Sequence, residues 1–147
     1  MNKTLLNVIL ILILGFTHSC VNQTKEKQQQ TEIEVSKNSE VQLNHGNRWS
    51  ANPETTKGIE SMISMMEDFK KLDDIEAYKE LSKQLTAEFS SIFRRCTMTG
   101  KAHIQLHNFL LPIKDLLGSL DSPDLIECKK IYLELKSILK NYTTYFK

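Results

Sequence analysis

A marked excess of charge of either sign is missing from this chain. Nineteen Lys and Arg stand against eighteen Asp and Glu, and basic residues adjoin at most in pairs, as at Arg94-Arg95. A protein that tracks phosphates needs a basic face, and one that adheres to anionic lipid needs a polybasic cluster. The composition therefore excludes nucleic acid as a partner. Long hydrophobic runs are missing too. The longest, Leu5 to Phe16, has about 12 residues, short of the roughly 20 that a spanning helix requires. Preceded by Lys3, it has the size and order of a secretory signal, which takes residues 1–19 out of the fold.

Motifs that carry covalent chemistry are equally scarce. No Gly-rich phosphate loop precedes a helix, no Ser occupies a nucleophile elbow, and no Cys-x-x-Cys-His tract offers haem attachment. The carboxylates are spread over what read as solvated helix faces, where they serve solubility better than acid-base work. The chain is expected not to be an enzyme. No strand pattern and no internal repeat is visible.

What is present begins at Thr17-His18-Ser19-Cys20. A small residue, Ser19, directly precedes a cysteine, and the segment resembles the lipobox of bacterial lipoproteins, with Cys20 as the lipidated N-terminus. Thr17 and His18 depart from the usual aliphatic and small residues, so cleavage nearby without lipidation is the alternative. Either way the rest lies outside the cytoplasm. The expected location is the cell envelope, on the periplasmic or outer-membrane face, with the membrane reached through the lipid on Cys20. Residues 20–43 follow as a tether rich in Gln, Glu, Lys, Ser and Asn. Its isolated aliphatics bury too little apolar area to offset the entropy of ordering, so it is expected to be disordered.

Residues 44–147 read as one small all-α domain. Asn52-Pro53 supplies a cap and a proline at the first helical position, and Ile59, Met62, Ile63, Met66 and Phe69 recur every three or four residues. This predicts a helix over 53–70. Asp73 or Asp74 caps the next, over 74–96, with a stripe of Tyr78, Leu81, Leu85, Phe89, Ile92 and Cys96. Gly100 breaks the pattern. His103, Leu106, His107, Leu110, Ile113 and Leu117 resume it, with a kink expected at Pro112. Ser122-Pro123 repeats the cap-plus-proline signature, and Leu125, Cys128, Tyr132, Leu135, Leu139, Tyr142 and Phe146 carry a fourth helix to the C-terminus. Four such helices with short connections predict an antiparallel up-and-down four-helix bundle.

That topology has consequences for chemistry. The end of the second helix meets the start of the third, so Cys96, Met98, His103 and His107 gather at one end of the bundle. The start of the first helix and the end of the fourth arrive there as well, bringing His45, Trp49, Tyr142 and Tyr145. Cys128 should stand about 20–25 Å from Cys96 along the bundle axis, which forbids a disulfide between them. His103 and His107 are four apart, so on a helix their rings share one face. Thiolate, thioether and imidazole together suit a soft or borderline ion, Cu(I) or Zn(II). The expected metal donors are Cys96, Met98, His103 and His107, with His45 as an additional one. Plain packing accounts for the same residues, since two such His often only hydrogen-bond and Cys96 continues an apolar stripe. Redox chemistry at the thiol is the third reading.

Asn47-Arg48-Trp49-Ser50-Ala51-Asn52, the run Cys96-Thr97-Met98-Thr99-Gly100-Lys101-Ala102-His103 with Leu106-His107 and Leu110-Leu111-Pro112, and Tyr142 to Phe146 together resemble a group of small, uncharacterised envelope proteins of Bacteroidetes-type bacteria. The resemblance spans about residues 44–147. It implies an all-helical, secreted or lipid-anchored domain with a loose association to heavy-metal and copper handling. Some similar sequences carry a further His after the proline, where this chain has Ile113 and Lys114, so helix three alone does not supply four donors. Two functional expectations follow. In the first, a lipid-anchored protein binds copper at the bundle end, to buffer it or pass it on. In the second, a non-catalytic interaction module docks an envelope protein through Trp49, Tyr142 and Tyr145.

Overall fold

A computed structural model describes residues 40–147. The expected signal peptide, the expected lipidation site Cys20 and the expected tether as far as residue 39 lie outside the described residues. The rest is all-helical, with four long helices: α1 (Pro53–Asp68), α2 (Ile75–Arg95), α3 (Gly100–Ser119) and α4 (Leu125–Lys140). A single further turn, α5 (Tyr142–Tyr145), follows. Among the described residues the only strand-like pairings are isolated bridges, Asn44 with Asn47 and Trp49 with Phe146.

Local chemistry sets the helix ends. Asp74 caps α2, accepting from the N–H groups of Glu76 and Ala77, and Arg94 and Arg95 sit at the negative end of the same helix dipole. Asp73 instead pairs with Lys129 across to α4. Asn52 occupies the N-cap of α1, but its side chain caps no backbone N–H. Its amide instead reaches the carbonyl of Arg95 at 3.1 Å and ties the start of α1 to the end of α2.

Two expectations about the fourth helix are corrected. It starts two residues later than Ser122-Pro123 suggested, because Asp124 accepts the N–H of Ile126 at 2.8 Å while Ser122 accepts that of Asp124. It also stops at Lys140. Asn141 turns its N–H back onto the carbonyls of Ser137, Ile138 and Leu139, and the chain re-enters the core as α5. α3 runs through Pro112, which leaves the carbonyl of Asn108 without its usual helical donor.

Packing joins α1 to α2, α2 to α3, α3 to α4 and α4 to α1. The core is one continuous cluster that includes Ile59, Met62, Met66, Leu85, Ile92, Leu106, Leu110, Leu135 and Leu139. At one end Phe69, Tyr78 and Tyr132 group their rings, and the Tyr132 hydroxyl donates to the carbonyl of Met66 at 2.6 Å. At the other end Phe109, Tyr142 and Phe146 do the same. Here the segment before α1 runs beside the C-terminus. Trp49 N–H donates to the carbonyl of Tyr145, Lys147 N–H to that of Trp49, and Ala51 N–H to that of Lys147, all at 2.7–2.9 Å. Val41, one of the isolated aliphatics of the expected tether, packs against this core.

α1 and α2 approach closely at Gly58. It is buried, and a Cβ placed there would lie 2.4 Å from Cγ1 of Ile92. Helix propensity argues against glycine inside a helix by about 1 kcal/mol, so its presence here reflects the space it leaves for the neighbouring helix.

Candidate metal centre

The run after α2 is where the sequence places its soft donors. Cys96 is the C-cap of α2, with extended backbone angles, and Cys96 and Met98 are half-buried side chains packed against the core. Gly100 then adopts φ 63°, a left-handed conformation that costs glycine little, as the chain turns into α3. His103 and His107 follow, both half-buried.

The two imidazoles are brought together closely. Their Nε2 atoms stand 3.0 Å apart and their rings cross edge to face with centroids at 4.5 Å, so one Nε2–H donates to the other ring nitrogen. Phe93 of α2 closes the far side of His107, ring to ring at 5.6 Å. Burial, followed by the proximity of His103, pushes the pKa of His107 below the usual imidazole range. The neutral, metal-binding form therefore persists to lower pH. Ring nitrogens bound to one tetrahedral ion at about 2.0–2.1 Å stand about 3.3 Å from each other, so slight opening of this pair would admit an ion in place of the shared proton.

No family model, curated protein or solved structure matches this chain.

The geometry divides the expected donors. His103 and His107 are paired. Among the described residues no three His, Cys, Asp or Glu side chains gather into a group able to hold an ion, so Cys96 does not complete a trio with them. His45 is placed elsewhere. It adopts φ 50° and Gly46 φ 84°, and Asn44 and Asn47 exchange backbone hydrogen bonds at 2.8 and 2.9 Å: a two-residue turn of type I′. The turn sets His45 in a groove with Trp49, Lys101, Ile104 and Gln105. At 100° per residue, Lys101 and Gln105 lie well over a quarter-turn around α3 from the His103–His107 edge.

Residues that the sequence reading passed over contribute as well. Gln105 accepts the backbone N–H of Gln42 at 2.7 Å, and the carbonyl of Gln42 accepts the indole N–H of Trp49 at 2.6 Å, which fixes the turn against α3. Phe93 follows Phe89 of the apolar stripe by four residues, with ring centroids 5.1 Å apart, and that spacing was the signal for it. Tyr142 is 2% exposed and bonds through its hydroxyl to Thr56. It is a core residue, so of the three aromatics expected to dock a partner only Trp49 and Tyr145 retain a partly open surface.

Both described cysteines are free, and they differ in kind. Cys128 is buried, and its Sγ lies 3.3 and 3.2 Å from the carbonyls of Leu120 and Ser122. Burial raises its thiol pKa, and the acidic residues nearby add to the effect. A water-soluble alkylating reagent is expected to modify Cys96 in the folded protein and Cys128 only after unfolding. Peptide mass mapping with and without denaturant would show this; equal rates at both thiols in the native state would contradict it.

Proposed function

We propose that this chain is a lipid-anchored envelope protein whose helical domain binds a soft or borderline transition-metal ion, Cu(I) or Zn(II), to buffer it or pass it on. The observation that carries the reading is the 3.0 Å approach of the His103 and His107 Nε2 atoms on one helix face. Cys96 and Met98, on the arm that leads into the same helix, are the nearest soft donors along the chain. Their participation would favour Cu(I); imidazoles alone favour Zn(II). His45, in its own groove, is left out of the donor set. The anchor rests on the Ser19-Cys20 junction and on the apolar run before it.

The arrangement that presents the site is, in this proposal, an antiparallel up-and-down bundle. Support comes from contacts between opposite ends of neighbouring helices. Asn52 at the start of α1 meets Arg95 at the end of α2. At the other extremity Asp73, just past the end of α1, meets Lys129, early in α4, and Ser82 of α2 donates to Leu117, late in α3.

The test is a titration of Cu(I) against a competing chelator under reducing conditions, using the wild type and a Cys96→Ser, His103→Ala double variant. Uptake is expected to weaken by more than about a hundredfold in the variant, with helix content unchanged by circular dichroism. Equal uptake by both proteins would overturn the reading and leave the histidines as packing.

A further inference from the structure

We infer that the His103–His107 pair is half of a metal site, and that a second copy of this chain completes it by presenting its own His103 and His107 across a two-fold axis. The inference rests on the metal-binding reading and adds the identity of the partner.

A four-coordinate ion needs four donors, and the described residues of one chain gather two. Cys96 and Met98 are packed against the core, so recruiting them would uncover apolar surface. The surroundings of the pair point outward instead. Phe93, Ile104 and Leu111 are 42%, 40% and 37% exposed. Phe93 touches His107, Leu111 lies one helical turn beyond His107, and Ile104, at the border of the His45 groove, lies one turn before it. Together they form an apolar rim on one side of the pair, beside His107. Ser90 and Asn108 beside that rim carry no charge, and Lys101, Lys114 and Asp115 stand one helical turn outside Ile104 and Leu111.

A two-fold axis through the pair suits such a surface, because an isologous contact lays the same patch on itself. Apolar rim then meets apolar rim, imidazole pair meets imidazole pair, and no like charges are forced together at the centre. Three apolar side chains fall well short of the 20–30 residues a side that a standard interface uses. The contact therefore cannot hold by itself, and it forms only when an ion links the two halves. This dependence on the ion selects a second copy over an unrelated protein, which would bring no matching pair of imidazoles.

Zn(II) serves as the probe. Residues 20–147 carrying Cys20→Ser contain the whole helical core and avoid lipidation; their mass is measured by sedimentation with and without Zn(II), and bound zinc is counted. The expected result is a monomer without the ion and a doubled mass with one zinc per two chains. His103→Ala should abolish both the uptake and the doubling. Leu111→Lys, which leaves the donors in place, should raise the protein concentration for half-dimerisation at least tenfold. One zinc per chain at unchanged mass overturns the second copy while leaving the metal reading intact, and loss of that uptake in Cys96→Ser would assign completion to the arm. No zinc uptake at all, in a protein that also takes up no Cu(I), overturns the metal reading and this inference with it. A doubled mass without zinc overturns the dependence on the ion.

Discussion

Phe146→Ala is expected to lower the unfolding free energy by about 3–5 kcal/mol, although the residue is next to last in the chain. Its ring is 0% exposed. It stacks on Tyr142 with centroids 5.1 Å apart and 15° between planes and meets Phe109 edge-on at 5.8 Å. Removing it leaves a cavity walled by two aromatic rings, which have little freedom to collapse into it. Its backbone neighbours are also those that bond to Trp49 and Ala51, so a loosened end releases the segment before α1 as well. Domains of this size have about 5–15 kcal/mol in all, and the loss would be a large fraction of that. Urea unfolding followed by circular dichroism would measure it. A change below about 1 kcal/mol would mean that the C-terminal turn contributes little to the core.

Gly58→Val should cost nearly as much, roughly 3 kcal/mol, through overpacking. The first added carbon already falls 2.4 Å from Ile92 Cγ1, and a β-branched side chain in a helix has little rotamer freedom with which to evade it. Ile92 is itself 1% exposed and cannot swing into solvent. Ile92→Ala alone should cost about 2–5 kcal/mol as a cavity. Combined, the two changes should cost less than their sum by about 1–3 kcal/mol, since the new valine occupies the space the isoleucine vacates. Simple additivity would show that the helices separate instead of interlocking at this point.

The helices were legible in sequence because their information is local. Apolar spacing gave α1 and α2 to within two residues at either end, and it identified Met62, Met66, Tyr78 and Leu85 as core. The same rule overran the end of α4. Leu135, Leu139, Tyr142 and Phe146 keep a helical spacing whether the helix continues or breaks and packs back, and only the bonds of Asn141 distinguish the two. The pairing of Trp49 with the C-terminus joins residues almost a hundred positions apart, and no local pattern encodes it. Gly58 did carry a signal, an isolated glycine inside a strong helical stripe, which costs the helix about 1 kcal/mol against alanine.

For the candidate site the division is similar. The spacing of His103 and His107 fixes their shared face through helix geometry alone, and they do meet. The placement of His45 depends on a turn whose sense follows from Gly46, and end-to-end topology was too coarse to say on which side of α3 that turn would lie. Tyr142 shows the converse: an aromatic near the chain end reads as available, while the fold spends it on the core.

The bonding of Trp49 and Ala51 to the C-terminal residues also determines how the domain bears a mechanical load. Tension transmitted along the chain from the N-terminal side must pass this pairing before it reaches α1. Because the Trp49–Phe146 bridge is parallel, a pull along the first segment slides it lengthwise past the second. The hydrogen bonds at 2.7–2.9 Å are then strained together in shear and do not open one after another. A protein held to a surface by its N-terminal segment would thus take up drag in this short pairing and spare the helix that follows.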